Sequence, residues 1–178
     1  FEEVLPAEQR DYRAVLVEPP PLENVMVVPG ERRVRLPRKI DHAARDEANR
    51  ALGRMGEQWA LEFEQRRLSD AGRPELFQRV EWTSAVRGDG AGFDIMSYET
   101  TGACRYIEVK TTNGPVGASF VISRNELEFS REVGPEFHLY RVFDFRRETA
   151  MFQLQGDVSR HVHLEPIDYR ASFRRLVS

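Results

Sequence analysis

Lysine is almost absent from this sequence: of 26 Lys and Arg residues only Lys39 and Lys110 are lysines. An arginine-favouring codon bias accounts for the ratio. It also singles out the two exceptions, because a retained lysine marks a position where a compact ammonium is suited and a guanidinium is not. Cysteine is scarcer still. Cys104 stands alone, which excludes an intramolecular disulfide and a cysteine-rich zinc site and reads as a core residue. No apolar run approaches the roughly 18 residues of a membrane helix, and no leader pattern opens the chain. The expectation is a cytoplasmic protein without a membrane partner, and the initial Phe1 reads as the start of a fragment or an excised domain. Excess positive charge is lacking too. Asp and Glu number 29, the net charge is −3 and the pI is about 5.9. A passive nucleic-acid coat is basic, so a nucleic-acid role here has to rest on a local site.

What is present is an ordinary globular composition. The chain has 178 residues, 40% of them hydrophobic, with eleven Phe, five Tyr and two Trp, enough apolar area for one core. Residues 1–40 are broken by Pro19-Pro20-Pro21, Pro29-Gly30 and Pro37 and read as an N-terminal arm or a linker from a preceding domain. Ala14–Val17 and Asn24–Val28 are its strand-like runs. Residues 41–178 read as the folded domain. Asp41 is a candidate N-cap for a helix whose stripe is Met55, Trp59, Ala60, Phe63 and Leu68. Gly53 and Gly56 predict a bend or restart, or the close approach of another backbone. The helix should end at Ser69-Asp70-Ala71-Gly72.

The period then changes to that of strands. Leu76–Trp82, Phe93–Tyr98 and Cys104–Thr111 read as three strands, with a flexible turn at Gly88–Gly92 and a hairpin at Thr100-Thr101-Gly102. Ala118–Ile122 is a further short candidate. Ser123 and Glu126 form a capping box for a helix closed by Gly134-Pro135. Phe137–Phe145 returns as a parallel strand, Ala150–Leu154 follows, and His161–Leu164 is a last candidate. The expected fold is α/β, a mixed sheet on an α-β-β-β-α-β core with flanking helices.

The chemistry concentrates in Ile107-Glu108-Val109-Lys110. Alternation puts Glu108 and Lys110 on one strand face, roughly 6.6 Å apart, and Ile107 and Val109 on the other. The hairpin through Thr100–Gly102 brings Asp94 beside Glu108. Two carboxylates so placed suit a hard divalent cation that keeps several waters, such as Mg²⁺. Lys110 then stands within reach of a water or a phosphoryl oxygen.

Asp94 with Glu108-Val109-Lys110 on the next strand resembles the PD-(D/E)XK nuclease superfamily. Gly53-Arg-Met-Gly56-Glu57, Gly92-Phe-Asp94-Ile95, Tyr106 to Thr112, Phe120-Val-Ile-Ser123, Glu126-Leu127 and His138-Leu-Tyr140-Arg-Val142 extend the likeness. Together they resemble the NO VEIN C-terminal domain family, which is similar to Mrr-like restriction endonucleases, over about Arg50 to Phe145. The resemblance implies a restriction-endonuclease-like fold and metal-dependent hydrolysis of DNA, in restriction or defence against foreign DNA, with Mg²⁺ or Mn²⁺ as cofactor. It assigns Asp94, Glu108 and the Val109 carbonyl to the metal, Lys110 to the attacking water and the transition-state charge, and Glu57 to an extra acidic role. One departure is Phe93, where the superfamily pattern has proline. Cleaving both strands of a duplex implies a homodimer or a larger complex that supplies DNA binding.

Two rival functions share these residues: a non-catalytic nucleic-acid-binding or assembly domain, and a hydrolase of another phosphoester. Other residues have plainer readings. His161 and His163 lack a third ligand, Asp89 serves a turn, and Arg146-Arg147 and Arg174-Arg175 are solvated pairs or phosphate contacts. Thr111 and Thr112 are candidates to assist at the site.

Overall fold

The structure, a computed structural model, describes residues 12–21, 42–88 and 90–167. Asn24–Val28, Asp41, Asp89 and Arg174-Arg175 lie outside them. Among the described residues five strands form one mixed sheet in chain order, so the expected α/β architecture with flanking helices is present. No helix among the described residues is long and apolar enough to cross a membrane.

Helix α1 (His42–Asp70) is continuous through both glycines. Its buried positions, Gly56, Ala60, Phe63, Glu64 and Leu68, recur at helical spacing, whereas Met55 is exposed. The two glycines differ. A Cβ on Gly56 would sit 1.7 Å from Thr111 Oγ1, but a Cβ on Gly53 would meet nothing within 4 Å. Gly56 is thus a contact point between helix and sheet, but what comes close to it is the Thr111 side chain and not the backbone that was expected. The helix stops as the sequence predicts: Gly72 at φ +68° and Arg73 donate to Ser69 and Leu68, a Schellman closure.

Leu76–Trp82 is not one strand. Pro74 at the first helical position opens a short α2 (Pro74–Phe77), leaving only β1 (Glu81–Trp82) before α3 (Thr83–Arg87). Strands β2 (Ile95–Tyr98) and β3 (Cys104–Thr111) form the hairpin, and Gly102 at φ +95° makes its turn. The capping box is formed and opens α4 (Arg124–Val133). Next, β4 (Phe137–Phe143) pairs parallel to β3, and β5 (Ala150–Gln155) pairs antiparallel to β4.

Three further strand candidates fail. At 118–122 the carbonyls of Ala118 and Ser119 accept from the buried Arg141 guanidinium, while Phe120 and Ile122 pack beside α4. His161–Leu164 follows a 3-10 turn at Val158–Arg160, with His161 Nε2 2.9 Å from the Gln155 carbonyl. The segment read as an arm is docked where described, though Ala14–Val17 is no strand: a 3-10 turn at Tyr12–Val15 places Val15 in the core, and Leu16 makes an isolated bridge to Met151 on β5.

The sheet is covered on both faces, and β4 is buried along its whole length. Ala60 and Phe63 of α1 pack on Ile95, Ile107, Val109, Tyr140 and Val142. On the other face Leu127, Phe129 and Val133 of α4 pack on Phe137, Leu139 and Tyr106. The Gly56–Thr111 contact sets how closely α1 lies on β3. Gly56→Ala is expected to destabilise the domain by about 1–3 kcal/mol through overpacking, a loss of about 2–4 °C in Tm per kcal/mol. Thr111→Ala in the same chain should return part of the loss, and thermal melts of the double-mutant cycle measure both.

Candidate active site

The β2–β3 pairing places Ile95 opposite Ile107, and Asp94 continues it by donating its N–H to the Ile107 carbonyl at 2.8 Å. Asp94 therefore lies abreast of Glu108, as the hairpin predicts. The pairing ends there, and the next inward N–H, that of Val109, donates to Asp94 Oδ2 at 2.8 Å. A carboxylate thus takes the place of the missing backbone acceptor. Upstream, Gly92 at φ +85° has no room for a side chain, since a Cβ would meet Phe129 at 2.9 Å. Phe93 stacks on Phe129 at 5.3 Å and meets Tyr106 at 5.0 Å. The ring that replaces the expected proline thus holds the approach to Asp94 by packing.

Lys110 lies two residues beyond Glu108. Its Nζ is 2.6 Å from Glu108 Oε1 and 2.8 Å from Glu126 Oε2. Glu126 is also the capping-box acid, accepting from the Ser123 N–H at 2.9 Å. One carboxylate thus ties the start of α4 to the side chain of Lys110. In the sequence Glu126 has a place in the capping box and in the family resemblance but no role at the site; that role needs the parallel crossover that brings α4 over β3.

Glu57 enters from α1. Its Oε2 accepts from Trp82 Nε1 at 2.7 Å and Ser84 Oγ at 2.6 Å, the first at the end of the segment read as the first strand and the second in α3, between that strand and the turn read at Gly88. These partners had no local signal. Glu57, Asp94, Glu108, Val109, Lys110 and Glu126 line one cleft of about 530 Å³. Thr111 and Thr112 do not join them: Thr111 faces Gly56, and Thr112 Oγ1 accepts from the Gly114 N–H. Arg50 and Arg54 line the cleft too and were not singled out as phosphate contacts. The signal was available, because they share the helix face of Glu57.

Charge in the cleft is strained. Burial first, and then the Glu57 charge, push Asp94 up to about 7. Burial and the Asp94 charge raise Glu108 well above the usual carboxylate range, outweighing Lys110. Burial works against the Lys110 ammonium, yet Glu108 and Glu126 hold its pKa above the ordinary value. Glu126 is held below its ordinary range by Lys110 in spite of burial. Two adjacent carboxylates that resist ionisation together are a donor set a cation would relieve. The set fits a small hard ion that takes one or two carboxylates and keeps its waters. Among the described residues no group of three or more His, Cys, Asp and Glu is arranged to hold a metal. Glu57 therefore shares the cleft without completing a three-carboxylate cluster.

The family model described as Protein NO VEIN, C-terminal matches residues 56–154, more than half of the chain. The chain belongs to the NO VEIN C-terminal family. The matched span runs from the helix contact at Gly56 into β5, past Phe145, and holds Glu57, Asp94, Glu108, Lys110 and Glu126. Arg50, Gly53 and Arg54 precede it. No curated protein and no solved structure matches the chain.

The Asp94 shift makes a prediction with a sign. An acid of pKa about 7 in the folded state keeps a proton that the unfolded chain loses near pH 4. Its ionisation therefore opposes folding increasingly from about pH 4 to 7 and by a constant amount above that. Asp94→Asn retains an acceptor for the Val109 N–H and is expected to melt above wild type at pH 8. The margin should shrink as the pH falls through 7 towards 4. A margin that is constant or widens on acidification would show that Asp94 ionises freely.

Proposed function

We propose that this NO VEIN C-terminal domain is a metal-dependent nuclease that hydrolyses DNA phosphodiester bonds. The observation that carries the reading is the Asp94–Glu108 pair, abreast on adjacent strands, with Lys110 beside it in an open cleft. A degenerate binding module has no use for two carboxylates held together against their mutual repulsion. Mg²⁺ or Mn²⁺ fits the pair, and such an ion supplies an activated water and charge neutralisation at the phosphoryl group when bound.

The chain's own residues do the rest. Asp94 and Glu108 would hold the ion, with the Val109 carbonyl as the further ligand that the nuclease resemblance implies. Lys110 stays protonated between Glu108 and Glu126, which fixes a positive charge where the phosphorane-like transition state gains negative charge. Glu126 positions that ammonium through α4. Glu57, held by Trp82 and Ser84, places a further carboxylate in the cleft to orient water. The attacking water oxygen forms a bond to phosphorus and releases a proton to solvent as the bond to the leaving sugar oxygen breaks, and that oxygen takes a proton from solvent. Restriction or defence against foreign DNA is the setting that the likeness to Mrr-like enzymes supports. A dimer or larger assembly would supply a second site and DNA grip.

Nicking of supercoiled plasmid with Mg²⁺ or Mn²⁺ and an EDTA control tests the reading. Wild type should nick only with metal. Glu108→Ala and Lys110→Ala, checked for folding by circular dichroism, should each lose about 10²–10³-fold in rate. Full activity in both variants, or in EDTA, would refute the assignment. Metal-independent binding without any cleavage would favour the non-catalytic nucleic-acid-binding reading.

A further inference from the structure

Arg50, Gly53, Arg54 and Glu57 are spaced i, i+3, i+4 and i+7 on α1, so they share one face, and all four line the cleft. Gly53 is out of place in a helix interior, since glycine is among the weakest helix formers. Packing explains Gly56, where a side chain would collide with Thr111, but not Gly53, whose Cβ would meet nothing within 4 Å. The missing side chain leaves open space on the cleft wall beside Arg54. Arg54 is exposed, and it makes no ion pair with a carboxylate among the described residues, unlike Arg67, Arg87, Arg105, Arg124 and Arg131. The cleft therefore has Asp94, Glu108 and Lys110 on its strand side and the arginines with Glu57 on its helix side, with the bare backbone of Gly53 beside Arg54.

We infer that Arg50, Gly53 and Arg54 form a seat for the sugar-phosphate backbone of a nucleic-acid strand, next to the phosphate being cleaved. The inference rests on the nuclease reading and deepens it. Arg54 supplies the charge for a neighbouring phosphate. Gly53 lets the strand lie against the helix. Arg54 stands about 4.5 Å from Glu57 along the helix axis, towards the N-terminus of α1, so the seat and the carboxylates occupy neighbouring parts of one cleft. An acidic chain can hold a polyanion in this way, through a local cationic wall.

Binding and cleavage test the seat separately. Anisotropy of a labelled DNA duplex in EDTA reads affinity without hydrolysis. Gly53→Ala and Gly53→Leu should raise Tm or leave it unchanged, because both improve the helix. Gly53→Leu should weaken binding at least about tenfold, and Gly53→Ala should do so less. Arg54→Ala should weaken binding several-fold and lower the slope of log K against log salt by about one. In plasmid cleavage these variants should raise KM with little change in kcat. Unchanged affinity in Gly53→Leu and Arg54→Ala overturns the seat, and if wild type still cleaves, the nuclease reading survives without it. Weakened binding in a protein that never cleaves with metal keeps the seat and overturns the nuclease reading. Wild type that binds no DNA overturns the seat outright.

Discussion

The register between β2 and β3 is the constraint on which the site depends. Ile95 faces Ile107, and both are fully buried against α1. A slip of one residue would turn each side chain of the shifted strand to the opposite face, carrying Ile95 out of the core and Asp94 away from Glu108. Burial of the two isoleucines therefore holds the carboxylates together. The hairpin turn at Gly102 fixes the count at one end, and the Phe93, Tyr106 and Phe129 rings fix it at the other. Once Asp94 lies beside Glu108, its Oδ2 closes the ladder at Val109. Lys110 then lies within reach of both Glu108 and Glu126.

Two buried acidic centres show how differently the fold treats charge. Glu64 of α1 is fully buried. It accepts from Arg67 Nε and Nη2, Ser97 Oγ and Tyr140 Oη at 2.6–3.0 Å. Burial alone would raise its pKa, but Arg67 and Arg105 hold it below the usual carboxylate range. It is a charge with its partners supplied, and it joins α1 to β2 and β4. Asp94 and Glu108 are the opposite case. They face each other, share one lysine with Glu126, and are pushed towards the neutral form. Carboxylates left short of positive charge at a cleft are candidates for function on physical grounds. The satisfied one nearby is structural.

Much of this was legible because local patterns and tertiary demands agreed. Strand β3 has the predicted bounds, since Ile107 and Val109 alternate with polar residues and Asn113-Gly114-Pro115 follows. The Ser123–Glu126 box and the closure at Gly72 are local chemistry and came out as read. The failures lie where a contact distant in sequence decided. Phe120 and Ile122 looked like strand residues, but the buried Arg141 guanidinium takes the carbonyls on which pairing would depend. Glu64 sits in the apolar stripe of α1, and no periodicity reveals a buried glutamate whose partners come from β2, β3 and β4. Met55 fits the stripe and is exposed, because the helix turns its Gly56, Ala60 and Phe63 face to the sheet. At the site, Asp94, Glu108 and Lys110 could be placed together from one hairpin. The Trp82 and Ser84 partners of Glu57 could not, since they depend on how α1 lies across β1 and α3.

The most direct test of the central claim is the anomalous scattering of crystals soaked in Mn²⁺. The account predicts a peak within about 2.0–2.3 Å of carboxylate oxygens of both Asp94 and Glu108, lost in Glu108→Ala. A cleft without Mn²⁺ at saturating concentration, with Lys110 still bound to Glu108 and Glu126, would contradict it.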